Sequence, residues 1–268
     1  MSLDDDVDLF YNAYANFTDP VLTAVREATF GEDIGQNSWL TSDEYDQFLK
    51  WLELRDHSHV LEVASGSGGP ALYLARKYGC RVTGVDLNPH GIANAGRAAL
   101  RAGVQSFVKF RVVDANAPLP FIERKFDGLI CIDSMNHFPD RLGTLKEWRR
   151  VMKPGARAVF TDPVAVTGPV TSVELAQRSS IGLFVFVPRE VNDQLIVRAG
   201  FRIVRELDVT ENAARVSQRW RDARQRHQKE LLRIEGDARF AGVQKFLESV
   251  HRLTSERRLS RIAYLVEK

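Results

Sequence analysis

Cysteine is nearly missing from this chain. Cys80 and Cys131 are the only two in 268 residues, far apart and without metal-ligand spacing, so a disulfide framework and a zinc site are both unsupported and no metal is expected. A dominant charge sign is missing too. The 37 Lys and Arg against 35 Asp and Glu leave a formal +2, which supplies no global pull toward nucleic acid or anionic lipid. No apolar run is long enough to cross a bilayer. The opening Met1-Ser2-Leu3-Asp4-Asp5-Asp6 is acidic where a signal or transit peptide carries basic residues. The expectation is a cytoplasmic protein that binds neither nucleic acid nor membrane. No internal repeat or low-complexity linker interrupts the sequence.

What is present is an ordinary globular composition, 44% hydrophobic and 27% charged, which supplies a sizeable core and argues against a disordered or collagen-like chain. Thr41-Ser42-Asp43-Glu44 has the spacing of a capping box, followed by Tyr45, Phe48, Leu49 and Leu52 at helical spacing, and predicts a helix over 42–54. Strand-like runs follow at 60–64, 81–86, 108–113, 126–133 and 156–161. Helical stretches separate them: one closed by Gly79, one over 90–102, and one carrying Leu142, Leu145, Trp148 and Met152 that Lys153-Pro154-Gly155 stops. The alternation breaks over 163–188, then resumes as a helix at 189–199 and a strand at 201–207. A long polar helical stretch, 211–255, precedes a last strand at 262–266. Within it Arg215, Arg219, Arg221, Arg224, Arg226 and Lys229 alternate with Asp222 and Glu230 and read as a solvated helix face.

This order predicts an α/β fold, a Rossmann-like seven-stranded, mostly parallel sheet with helices on both faces and a helical cap. The expected organisation is one domain: a lid over 1–40, a cofactor-binding core over 41–162, substrate-covering insertions at 163–188 and 211–255, and the C-terminal part of the sheet at 189–210 and 256–268. Covering segments form pockets here because ligands in open α/β sheets bind outside the carboxyl ends of the strands.

Gly66-x-Gly68-x-x-Ala71 follows the first strand and opens a helix. Glycines permit a tight turn and close approach of a ligand, and the amides at a helix start favour an anionic group. Asp86 ends the second strand twenty residues beyond Gly66, where a carboxylate can accept both ribose hydroxyls. Together they point to an adenosine cofactor and leave a nicotinamide and S-adenosylmethionine both open. A structural reading also stands, with Glu62 a buried carboxylate and Asp86 and Asp114 as helix caps.

Glu62-Val63-Ala64-Ser65-Gly66-Ser67-Gly68-Gly69 resembles the first motif of class I S-adenosylmethionine-dependent methyltransferases, including its acidic residue. The resemblance extends through Asp86, Asp114-Ala115, the 126–133 run and Lys153-Pro154-Gly155, over roughly residues 40–210. It implies S-adenosyl-L-methionine as cofactor, with Glu62, Ala64, Gly66 and Gly68 around the methionine portion. Asp86 would take the ribose with Leu87 beside it, Asp114 and Ala115 would face the adenine, and Asp133 would also contact the cofactor. Ala64 stands where the family usually has its first glycine.

Past the fourth strand, Asp133-Ser134-Met135-Asn136-His137-Phe138-Pro139-Asp140-Arg141 is similar to the corresponding stretch of small-molecule methyltransferases, among them natural-product sugar O-methyltransferases and phosphoethanolamine- and glycine-type N-methyltransferases. The likeness implies His137 as general base and Asp133 as its acidic neighbour. An imidazole of ordinary pKa, about 6.5, is available as a neutral proton acceptor. In the competing reading His137 caps the following helix and Asp133 is structural. The aromatic residues Phe10, Tyr11, Tyr14 and Phe17 resemble the lid of phosphoethanolamine methyltransferases, but Phe17 falls where their lid tyrosine stands and cannot share a proton. Their phosphate-binding tyrosines have no counterparts around Arg178, so a phosphobase acceptor does not follow. Tyr11, Tyr14, Phe17 and Arg178 remain the expected substrate contacts. The expected activity is methyl transfer to an O or N atom of a small molecule; a nicotinamide-dependent oxidoreductase and a cofactor-binding protein without catalysis are the alternatives.

Overall fold

A computed structural model describes residues 14–268; Phe10 and Tyr11 lie outside them. Along β1 (His59–Val63), Leu61 and Val63 join an apolar cluster with Trp148 and Phe160, while Val60 joins a second with Phe48 and Leu74. That two-residue period, repeated in β4 (Phe126–Cys131), buries both faces of the sheet, as a sheet with helices on both sides requires. The other strands are β2 (Arg81–Asp86), β3 (Val108–Val112), β5 (Met152–Val166), the two-residue β6 (Val187–Pro188), β7 (Arg202–Asp208) and β8 (Leu259–Glu267).

The strand order is β3-β2-β1-β4-β5-β8-β7, with β6 added beside β5. β1 to β5 pair in parallel, and β8 runs antiparallel between β5 and β7. The eighth strand was not expected from the sequence, and β5 runs past its expected end at 161. Pro163 lacks an N–H for the ladder, and the β5–β8 register shifts between Asp162 and Ala165 to pass it. Pairing then continues to Val166 opposite Leu259.

Helices α1 (Pro20–Phe30), α2 (Ser42–Trp51), α3 (Gly69–Tyr78), α4 (Pro89–Arg101), α5 (Arg141–Val151), α6 (Ser172–Arg178) and α7 (Arg189–Arg198) connect or cover the strands. The expected capping box at α2 does not form: Thr41 makes no side-chain cap bond, and Glu44 turns instead to Arg261. The 211–255 stretch is two helices, α8 (Thr210–Arg226) and α9 (Gln228–Ser255), broken at His227 and packed against one another. Gly236, with φ 75° and ψ 169°, bends α9 again. The basic face of α8 is solvated except at Arg224, which is buried against Phe240 and paired with Glu235. With α1, these helices form the cap, whose apolar cluster includes Phe30, Trp39, Val216 and Phe246.

Ala64, just past β1, holds φ at 58°. A side chain in this left-handed region costs about 1–2 kcal/mol, whereas glycine loses about 0.5–1 kcal/mol in chain entropy. Ala64→Gly is therefore expected to be neutral or to stabilise the fold by up to about 1 kcal/mol in urea denaturation. A loss of stability would show that the Ala64 methyl makes a contact worth more than the backbone strain.

Candidate functional site

At the carboxyl ends of the parallel strands lies a cavity of about 520 Å³, where an open α/β sheet offers room to a ligand. The chain enters it through the turn after β1, and Asp86 holds that turn. Its Oδ2 accepts from the Gly66 amide at 2.8 Å and its Oδ1 from the Asn88 amide at 2.8 Å. Each carboxylate oxygen keeps further acceptor capacity, so Asp86 can serve the turn and a ribose together. Glu62 is 3% exposed. It accepts from the Ala71 amide, while its Oε2 is buried without a partner. Burial, and after it the nearby Asp86, raise the Glu62 pKa to about 8. Asp114 is exposed and uses Oδ1 to accept from the Asn116 amide at 2.9 Å.

The N-terminal segment covers the turn. A Cβ built on Gly66 would fall 2.5 Å from the Tyr14 hydroxyl oxygen, and Asn94 Nδ2 of α4 donates to the Tyr14 carbonyl at 2.6 Å. Farther along, Ile34 and Gly35 lie with their backbones against Gly69 at the start of α3. Trp39 is tied on both sides: its amide donates to Asp133 Oδ2 at 2.8 Å, and its carbonyl accepts from Asn212 Nδ2 of α8 at 2.9 Å.

Asp133 follows β4 with φ 52° and has both carboxylate oxygens engaged. Oδ1 accepts from Thr161 Oγ1 at 2.7 Å and from Arg261 Nε at 2.6 Å. The same guanidinium donates through Nη1 to both oxygens of Glu44, at 2.8 and 2.6 Å. Burial works against the Arg261 charge, but Asp133 and Glu44 outweigh it and raise the pKa.

His137 closes a single 3-10 turn, Met135–His137, after Asp133. Its Nδ1–H donates to the Leu183 carbonyl at 2.8 Å, which fixes the tautomer and puts the lone pair on Nε2; Asn136 Nδ2 lies 3.2 Å from that nitrogen. Burial lowers the His137 pKa; the Leu183 bond opposes this and Arg178 adds to it. The 183–185 segment is held here by two more bonds, Val185 N to Asn136 O at 2.8 Å and Arg141 Nη2 to Val185 O at 2.7 Å. The helix-cap readings do not hold, since Asn88 caps α4 and Asp140 caps α5.

The cavity wall brings together Glu62, Ala64, Gly66, Asp86 and Leu87 with Tyr14 over the turn, then Asp114 and Ala115, and also Asp133, His137 and Arg178. Two expected residues fall elsewhere. Gly68 is off the wall: a Cβ there would meet Ala95 and Phe110, each at 2.7 Å, so this glycine lets α4 and β3 pack against the turn. Phe17 is also off the wall, with the Arg26 guanidinium 4.0 Å from its ring centre and Arg26 Nη1 donating to its carbonyl. Tyr11 lies outside the described residues. The sequence reading missed Trp39, Asn136, Phe184 and Phe246 on the wall, and Arg261 behind it. Arg261 alone left a signal, a charged residue inside an otherwise apolar final strand.

Residues 61–160 match the family model described as a methyltransferase domain. The chain is 27% identical over 168 residues to the 27-O-demethylrifamycin SV methyltransferase of Amycolatopsis mediterranei, covering 59% of this chain and 58% of that one. It is 36% identical over 113 residues to the sarcosine/dimethylglycine N-methyltransferase of Halorhodospira halochloris, covering 42% and 40%. The chain thus spans about half the length of the curated relatives it matches. In fold it is similar to phosphoethanolamine N-methyltransferase 2 of Haemonchus contortus, solved in complex with S-adenosyl-L-methionine, at a TM-score of 0.80 and 19% identity over 97% of this chain and 60% of that one. Residues 61–160 thus match a methyltransferase-domain model within a Rossmann-like, mostly parallel sheet.

Proposed function

We propose that the protein transfers a methyl group from S-adenosyl-L-methionine to an O or N atom of a small molecule, with His137 as general base. The observation that carries this reading is the His137 ring, held on the cavity wall as the Nδ1–H tautomer by Leu183 with its basic nitrogen as Nε2.

The turn end of the cavity fits the cofactor. Glu62 Oε2, buried and without a partner, suits the cofactor's ammonium group; Asp86 has acceptor capacity for the ribose and Asp114 for an amino group of the base. When bound, S-adenosyl-L-methionine supplies an electrophilic methyl group on a sulfonium centre. The chain's own task is to exclude water and hold the acceptor in line, which is the larger part of the barrier lowering. His137 Nε2 takes the acceptor proton as the new bond forms. The Asn136 amide, whose Nδ2 donates to that single lone pair in the structure, must turn away before the proton arrives, and its Oδ1, which has no partner, can then accept from the protonated ring. Asp133, with both oxygens engaged, is a positioning residue: it ties Trp39 to the β4 tip beside the acceptor space. The substrates named for these relatives, 27-O-demethylrifamycin SV and sarcosine or dimethylglycine, agree with a small-molecule acceptor.

Two outcomes test this. With a Glu62 pKa of about 8, the free protein holds this carboxyl protonated below that pH, and pairing with an ammonium must expel the proton. Affinity for S-adenosylhomocysteine should therefore fall as pH drops from about 8 toward about 6, with proton release in calorimetry, and Glu62→Gln should abolish the dependence. Flat affinity in the wild type removes Glu62 from the ammonium site.

For the base, His137→Asn keeps a donor for Leu183 without a proton acceptor. Turnover should fall about 10²- to 10⁴-fold with cofactor affinity nearly intact. The wild-type rate should drop as pH falls through the His137 pKa, which burial places below the ordinary value of 6.5, and the variant should lack that limb. A variant with normal turnover and only a lower melting temperature would make His137 structural.

A further inference from the structure

Arg178 ends α6 and is 1% exposed. Its guanidinium carbon lies 4.9 Å from the centre of the Phe184 ring, 5.1 Å from Phe246 and 5.9 Å from Trp39. Among the described residues no ion pair reaches it, and its Nη1 is buried with no hydrogen-bond partner. The acids that act on it from a distance, Asp133 and Asp162, are committed elsewhere, Asp133 to Arg261 and Asp162 to Arg141 and Asn192. Aromatic faces attract a cation, but they accept none of the five N–H bonds that a guanidinium offers. Burial lowers its pKa to about 9, so it remains charged at neutral pH. A buried, charged group without acceptors is costly to a fold, and this one faces the cavity that His137 also lines.

We propose that Arg178 anchors the methyl acceptor, and that the acceptor carries a carboxylate on a small apolar body seated among Trp39, Phe184 and Phe246. The proposal rests on the reading of the cavity as a methyltransferase acceptor site. A carboxylate matches the planar fork with two parallel bonds. Its single charge also matches the count: among the described residues the cavity wall holds no other Arg or Lys, so a dianionic phosphate would leave one charge uncompensated. The Phe184 ring centre lies 4.9 Å from both the His137 ring and the Arg178 guanidinium. The carboxylate and the atom to be methylated are thus separated in the acceptor by a short apolar spacer.

The test uses the full chain saturated with S-adenosylhomocysteine and three probes that share a phenyl body: benzoate, its neutral isostere benzamide, and phenyl phosphate. The wild type should bind benzoate at least about tenfold more tightly than benzamide, the factor expected for hydrogen bonds to a charged group, and should prefer benzoate to phenyl phosphate. Arg178→Met should lose the preference for benzoate while keeping its affinity for S-adenosylhomocysteine. Arg178→Lys, which keeps the charge and loses the fork, should bind benzoate more weakly than wild type and still ahead of benzamide, and it serves if the Met variant does not fold. Equal or absent binding of benzoate and benzamide by the wild type, or an undiminished preference in Arg178→Met, overturns the anchor. Tighter binding of phenyl phosphate overturns the single-charge match. Failure of the wild type to bind S-adenosylhomocysteine instead overturns the proposed function, and the benzoate comparison is then read on the free protein.

Discussion

Arg261 sits on β8 between β5 and β7, out of contact with water, and its guanidinium spans Glu44 of α2 and Asp133 at the tip of β4. Moving each ion out of water costs several kcal/mol, and only good geometry with further hydrogen bonds repays it. Here the repayment is partial: both oxygens of Glu44 meet one nitrogen, and Asp133 adds Thr161 and the Trp39 amide, while Arg261 Nη2 is buried with no partner. Removing one partner of such a group typically costs about 3–5 kcal/mol, because the other charge is stranded. That exceeds the strain of about 1–3 kcal/mol that a residue such as Asp133 carries at positive φ. The ion network therefore decides the shape of the β4 tip, and every residue from Asp133 to His137 is positioned from it.

What could be read from the sequence was what local period and local chemistry determine. The strands of the core alternate or run apolar over a few residues, and the turn at 64–69 combines glycines with an acid in the strand before it, so both were visible. The rest depended on partners remote in sequence. Glu44 has the spacing of a capping box, yet its partner lies 217 residues away, and a buried guanidinium outbids an exposed backbone amide. Gly68 looks like a ligand contact by its motif position, but Ala95 and Phe110 occupy the space beside it. Phe246, deep in a long polar stretch, gave no sign that α9 would deliver it to the acceptor space.

The cavity is sorted by charge. Glu62, Asp86 and Asp114 line the end near the glycine turn. The opposite end has a neutral imidazole and a single guanidinium among aromatic rings. Asp133 stands between the two ends, its carboxylate paired with the Arg261 guanidinium that Glu44 also shares. Burial, and after it Asp86, lifts the pKa of Glu62; burial, with the Arg178 cation adding to it, depresses that of His137.

One segment of chain stands over both ends. Tyr14 rests on Gly66, and Trp39, 25 residues later in the same N-terminal stretch, walls the acceptor space. The bonds to Asn94, Asp133 and Asn212 tie that stretch to α4, the β4 tip and α8 at once, so both ends of the cavity share one cover.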